Sequence, residues 1–280
     1  MSTPDFLVIG AMKCGTSTLA AQLASQSGVF VTNPKEPNFF SDDDIYLRGP
    51  DWYAALFQEA SADEVKGEAS THYTKLPTYP ETVARMRAML PAPRLIYLIR
   101  NPMMRAKSHY IHEWLEGRAG NDPERAFAEC PEIVHYGCYG MQIAPYVDTY
   151  GTERILLTSL EQITADPDQE FARITGFLGL TQSAGWKHDL PAQNVSNERF
   201  RRLPMTDILI DNPVARGVRR TLVPKALRTW VRNRRKMTAR PEIPEDLARR
   251  MQLRFQEDRA YLAGFFPNHP ALDLCYPFVE

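Results

Sequence analysis

The stretch from Asp5 to Leu19, DFLVIGAMKCGTSTL, restricts the fold of this chain more than any other part of it. Phe6-Leu7-Val8-Ile9 is an apolar, partly β-branched run with the length of a buried strand. Gly10 to Gly15 then read as a tight loop, and from Thr16 onward Leu19, Ala20 and Leu23 fall at helical spacing. Strand, glycine loop and helix make an anion-binding design, because exposed backbone N–H groups and the positive helix end converge on one phosphate-sized ligand. The plain alternative is a strand–turn–helix with an incidental lysine.

The position of that lysine matters. A nucleotide-triphosphatase loop runs G-x-x-x-x-G-K-[ST], with lysine after the second glycine. Here the glycine spacing is kept and Ser17 follows, but Thr16 occupies the lysine's place and Lys13 lies inside the loop. The loop still cradles a phosphate, while its cation approaches from another side. Such an arrangement suits the neutralisation of a leaving oxygen at the end of the ligand, with no metal required.

Further strands are expected at Val29-Phe30-Val31, at Val65 to Ala69, at Arg94 to Ile99 and at Arg154 to Leu160. Arg94 to Ile99 is apolar throughout after its first residue, as a central strand of a parallel sheet is. It runs into Arg100-Asn101-Pro102, where Asn101 suits an N-cap and Pro102 the first helical position. Helices are expected at Glu81 to Leu90, at Pro102 to about Glu116 and at Pro167 to Leu178, the last stopping at Gly179. Strands alternating with helices predict a doubly wound, mainly parallel α/β sheet of P-loop type flanked by helices, with ligands at the carboxyl ends of the strands. With 280 residues, 44% apolar and 24% charged, the chain reads as one domain over 1–280. Its C-terminal region, about 205–280, is expected to be helical and basic and to pack on the rest.

The net charge of −1 argues against a nucleic-acid binder. No apolar run is long enough to span a membrane, and MSTPDFLVIGAMK reads as mature sequence, not a signal peptide. Cys14, Cys130, Cys138 and Cys275 form no C-x-x-C pair, so free thiols in a reducing, cytoplasmic compartment are expected, with no metal site. Cys14, in an electropositive loop at a helix start, is expected to have a lowered pKa.

The strand ending at Ile99 delivers a cation, Arg100, where a magnesium-dependent nucleotidase supplies an aspartate. Ser108 lies two turns into the following helix. A ligand with phosphate groups at two places, one in the Lys13 loop and one at Arg100 and Ser108, explains both features. The bland reading makes Arg100 a surface ion-pair partner and Ser108 a solvated helix residue. Earlier in the chain, the segment Asn33-Pro34-Lys35-Glu36-Pro37 is held extended by its prolines, which keeps Lys35 and Glu36 on a loop.

These segments resemble the sulfotransferases that use 3′-phosphoadenosine 5′-phosphosulfate (PAPS). GAMKCGTSTL is similar to their 5′-phosphosulfate loop and YLIRNPMMRAKSHY to their 3′-phosphate motif. KEPNFFSDDDIYLRGPDWYAALF and YGCYGMQIAPYVDTYGTERILLTSLEQITADPDQEFARITGFLGL are similar to the branch that contains the heparan-sulfate N- and 3-O-sulfotransferases. The resemblance implies that Lys13 neutralises the bridging oxygen as the S–O bond breaks. It implies that Cys14, Gly15, Thr16, Ser17 and Thr18 surround the 5′-phosphate through backbone N–H groups, and that Arg100 and Ser108 bind the 3′-phosphate. Glu36 matches that branch's base, and His72 competes for the role because other sulfotransferases use histidine. The branch carries a lysine in the segment matching Lys66 to Tyr73, where this chain has Glu68. Tyr139 is expected to stack on adenine, and Arg199, in the segment Gln193 to Arg199, to approach the 3′-phosphate.

The implied activity is transfer of a sulfuryl group from PAPS to a hydroxyl or amine of a sugar or small natural-product acceptor, releasing 3′,5′-ADP. The acceptor cleft is expected between the Glu36 loop, the aromatic segment Phe39 to Tyr53 and the C-terminal elements. Two rivals remain at this level: a P-loop kinase using ATP, and a non-catalytic nucleotide-binding or membrane-peripheral module. Between Pro213 and Pro241 stand ten Arg or Lys residues and no acid, with Ala226, Leu227, Trp230 and Val231 as an apolar stripe. That segment, 216–240, reads as an interfacial membrane helix, as an entrance for an anionic acceptor, or as a solvated face packed on the core.

Overall fold

The structure is a computed structural model that describes residues 3–180, 185–191 and 242–279. Arg199, the loop Gln193 to Arg199 and the basic segment 216–240 lie outside the described residues.

Five parallel strands form one sheet: β1 (Phe6–Gly10), β2 (Val29–Val31), β3 (Val65–Ala69), β4 (Arg94–Ile99) and β5 (Ile155–Ser159), in the order β2-β3-β1-β4-β5. The all-apolar runs take the middle positions. All five residues of β1 are buried, with Phe6 opposite Gly67 of β3 on one side and Arg94 of β4 on the other. Such continuous burial is expected of strands covered on both faces.

The α-helices are α1 (Thr16–Ala24), α2 (Asp43–Tyr46), α3 (Gly49–Ala55), α4 (Thr82–Met89), α5 (Pro102–Leu115), α6 (Pro123–Glu129), α7 (Glu132–His135), α8 (Tyr139–Tyr150), α9 (Leu160–Ala165), α10 (Pro167–Leu178), α11 (Glu245–Phe265) and α12 (Ala271–Leu274). Their ends follow local chemistry. Asn101 accepts from the N–H groups of Met103 (2.9 Å) and Met104 (3.1 Å), and Pro102 opens α5. Such a cap contributes about 1 kcal/mol. Gly179 closes α10 in the left-handed conformation, with φ of 72°. Among the described residues no helix is long and apolar enough to cross a membrane.

The sheet order places β1 where the chain reverses direction of growth, with β3 to one side and β4 to the other. A crevice at such a switch point, at the carboxyl ends of the strands, is where open α/β sheets bind ligands. The Lys13 loop follows β1, Thr71 to Lys75 follows β3, and Arg100 follows β4. Three separate motifs therefore reach one edge of the sheet.

The aromatic segment behaves differently from the expectation. Phe39, Phe40 and Tyr53 are wholly buried. Phe39 stacks on Tyr53 at 4.6 Å between ring centroids, and Phe40 meets Tyr53 edge-on at 5.0 Å. They are a packed aromatic core beneath the Glu36 loop and have no free face for a cleft. Trp52 and Tyr46 keep partial exposure, each with an arginine over its ring: Arg48 at 5.0 Å and Arg85 at 4.5 Å.

Candidate active site

The loop between β1 and α1 turns on two residues of positive φ, Lys13 at 68° and Gly15 at 94°. Gly15 can take that conformation without a Cβ penalty; Lys13 takes it at a cost that the fold must offset. Gly15 is the N-cap of α1, and no acidic side chain lies in that helix's first turn to compete for its positive end. Thr18 N–H bonds back to the Gly15 carbonyl (3.0 Å) and Cys14 N–H to the Ala11 carbonyl (3.2 Å). Two of the amides expected to face an anion are thus engaged inside the turn.

Cys14 corrects the expectation of a lowered pKa. Its thiol is fully buried and lies 3.5 Å from the Tyr139 hydroxyl. Burial pushes it up to about 11, against the partial pull of Tyr139, Arg105 and Arg100. The residue anchors the loop from below and stays a neutral thiol.

Arg100 arrives from the end of β4. Its Nη1 donates to the carbonyl of Lys13 (3.2 Å), so residues 87 positions apart in sequence meet in one place. Its Nε is buried without a hydrogen-bond partner. An orphaned guanidinium donor beside a positive-φ loop fits an anion, since unpaired buried donors are costly. Ser108 is half-buried on α5, the helix that Arg100 introduces.

Tyr139 is also a correction. It is completely buried, donates through its hydroxyl to the Arg100 carbonyl (2.8 Å), and packs edge-on against Tyr97. Neither ring face is open to a base. Its place is behind the Arg100 corner.

Glu36 stands on the loop after β2 with φ of 61°, its N–H bonded to the carbonyl of Ala69 at the end of β3 (3.0 Å). Lys35 Nζ lies 2.7 Å from Glu36 Oε1, and Thr71 Oγ1 donates to the same oxygen (3.1 Å). Burial alone would raise this carboxyl, but Lys35, Lys75 and the Thr71 hydroxyl hold it below the usual value. It is a carboxylate at neutral pH. His72, the next residue after Thr71, is half-buried with its ring stacked on Tyr79 at 4.8 Å and its Nδ1 buried without a partner. Burial, reinforced by Lys75, presses its pKa to about 4, so the imidazole is neutral. Both proposed bases therefore occupy the same corner in the form that can take a proton.

Sequence reasoning missed Lys75. It is nine-tenths buried, with its ammonium 5.8 Å from the centre of the Tyr136 ring. Burial pushes it down to about 8, opposed by Glu36 and Glu113 and assisted by Lys13. The available signal was its position shortly past the end of β3, beside the central strand. Also missed was a buried row on α5: Arg105, His109 and Glu113, with Glu113 paired to His109 (3.1 Å) and to Arg118. Glu68 is wholly buried as well, with the hydroxyls of Tyr73 and Tyr53 acting on its carboxyl and no cation beside it among the causes of its shift.

One consequence is a pH dependence of turnover. Above about pH 8 Lys75 loses its proton, and one of the two lysine charges facing Glu36 disappears. We expect kcat to fall on that alkaline limb, and Lys75→Arg, whose guanidinium stays charged, to flatten the profile to about pH 9. An unaltered limb in the variant would assign the titration to another group.

Residues 3–259 match the family model described as "Sulfotransferase domain", and the chain belongs to that family. Human heparan sulfate glucosamine 3-O-sulfotransferase 6 is 29% identical over 194 residues, 66% of this chain and 55% of that protein. The bifunctional heparan sulfate N-deacetylase/N-sulfotransferase 1 of Xenopus laevis is 26% identical over 211 residues, 67% of this chain and 23% of that protein. The chain thus spans about half, or less, of the length of these curated relatives. The crystal structure of a sulfotransferase from Alicyclobacillus acidocaldarius superposes with a TM-score of 0.69 at 23% identity, covering 97% of this chain and 99% of that one. That likeness establishes the fold, a parallel five-stranded sulfotransferase sheet. The family match lends no support to the kinase alternative.

Proposed function

We propose that the chain moves a sulfuryl group from PAPS to a hydroxyl, or an amine, of a carbohydrate or small natural-product acceptor, and releases 3′,5′-ADP. The observation that carries this reading is the contact of Arg100 with the Lys13 loop, which leaves a buried guanidinium donor unpaired beside the first turn of α1. A bisphosphorylated adenosine carries anions at two ends, as the two motifs require. The donor, when bound, supplies an activated sulfuryl group. Lys13 offsets the negative charge that appears on the departing phosphate oxygen. Glu36, held by Lys35 and Thr71, accepts the proton of the attacking acceptor.

His72 as the base is the second reading, favoured by its neutral ring and unpartnered Nδ1. The acceptor class rests on the relatives, whose names state heparan sulfate. All four cysteines are free and buried, which supports a reducing, cytoplasmic setting as part of the proposal. The direct experiment incubates the protein with PAPS and a panel of desulfated glycans and phenols and reads acceptor mass. Gain of one sulfuryl group with stoichiometric 3′,5′-ADP is expected. Equivalent phosphate gain from ATP, with none from PAPS, would overturn the reading.

A further inference from the structure

The long helix α11 carries one buried acid, Asp258. Its two carboxyl oxygens accept from Gly140 N–H (2.8 Å) and Met141 N–H (2.9 Å), 118 and 117 positions earlier in the chain. Those are the orphaned donors of the first turn of α8, so Asp258 caps a helix in trans. The approach is close enough that residue 140 must lack a side chain. A Cβ there would stand 2.7 Å from the Asp258 carbonyl oxygen and 2.8 Å from Leu262 N.

The residue immediately before this clamp is Tyr139. Its hydroxyl donates to the Arg100 carbonyl (2.8 Å), accepts a longer bond from Arg100 N–H (3.4 Å), and lies 3.5 Å from the Cys14 thiol in the anion loop. Arg100 in turn reaches the Lys13 carbonyl (3.2 Å). On the other side of the same corner, Glu161 accepts from Asn101 N–H (2.8 Å) and from the Cys275 thiol (3.3 Å). The backbone at residues 100 and 101 is therefore gripped from two directions by elements whose outer partners come from the C-terminal part of the chain.

We propose that Asp258 and Tyr139 are positioning residues for the donor nucleotide. Asp258 fixes the start of α8, Tyr139 transmits that placement to the Arg100 backbone, and the guanidinium is thereby aimed at the 3′-phosphate. Helix α11 thus sets the selectivity of a site to which it contributes no side chain directly. This rests on the reading of Arg100 given under the proposed function. A guanidinium discriminates by direction as well as by charge, so a small rotation of its backbone weakens a bidentate contact without removing the cation.

The test uses the full chain and two probes, 3′,5′-ADP and 5′-AMP, whose ratio of dissociation constants reports recognition of the 3′-phosphate. Tyr139→Phe keeps the ring and removes one hydroxyl; Asp258→Asn keeps the shape and removes one acceptor. Each is expected to lower the ratio about three- to tenfold. Leu262→Ala, which thins the packing of α11 without touching either hydrogen bond, is expected to lower the melting temperature and leave the ratio unchanged. An unchanged ratio in both Tyr139→Phe and Asp258→Asn overturns the inference, as does an equal loss in Leu262→Ala. A wild-type protein that does not discriminate the two probes overturns the assignment of Arg100 itself, and the inference with it.

Discussion

Replacing Glu36 with glutamine lowers turnover by about two to four orders of magnitude while 3′,5′-ADP binds as before. The amide keeps the shape of the side chain and can still accept from Thr71 Oγ1, so the loop that the Ala69 carbonyl holds stays in place. What it cannot do is take a proton. The ion pair with Lys35 is also lost, but that pair is about a third exposed on the glutamate side and contributes little to stability. The measurement is kcat by product mass together with nucleotide affinity by titration. His72→Gln, made in parallel, is expected to reduce kcat far less, because the imidazole is a neighbour of Glu36 in this account and not the proton acceptor. The reverse ranking would transfer the role to His72. Full turnover in both variants would mean that neither side chain is the proton acceptor.

Glu68→Gln stabilises the protein near neutral pH. In the folded chain burial pushes this carboxyl from 4.5 up to about 8, and the neighbouring Tyr73 and Tyr53 hydroxyls offset only part of that shift. The native state therefore keeps its proton where the unfolded state loses it. Between pH 4.5 and 8 the native form binds more protons, so stability contributed by this group falls as pH rises, by about 1.4 kcal/mol per unit. At pH 7 the accumulated cost is on the order of 3 kcal/mol, and glutamine, already neutral, escapes it. The variant should melt roughly 5 °C or more above wild type at about pH 7.5, with the difference vanishing near pH 4.5. Equal melting temperatures across that range would mean that Glu68 is ionised in the folded state, its charge compensated there.

The sheet was readable because its strands are short, apolar and separated by helix signals of ordinary kinds. Phe6 to Ile9, Arg94 to Ile99 and the stop at Gly179 each follow from local chemistry. Arg100 was readable for the same reason, since a cation at the end of a central strand needs an explanation. Tyr139, Phe39 and Tyr53 were misread because an aromatic side chain has the same letter whether it lines a cleft or fills a core. Only the tertiary fold decides which. Cys14 shows the same limit in electrostatics: the positive loop was visible in sequence, but the burial that outweighs it was not. The cap from Asp258 to α8 joins segments too distant for any local pattern to connect.

The central claim is that the Lys13 loop and Arg100 hold two ends of one adenosine bisphosphate. Titration of wild type and Arg100→Ala with 3′,5′-ADP and 5′-AMP tests it most directly. The account predicts that wild type prefers 3′,5′-ADP by about tenfold or more, and that Arg100→Ala loses this preference while binding 5′-AMP as wild type does. Equal affinity of wild type for the two nucleotides, or a preference that survives removal of the guanidinium, would contradict it.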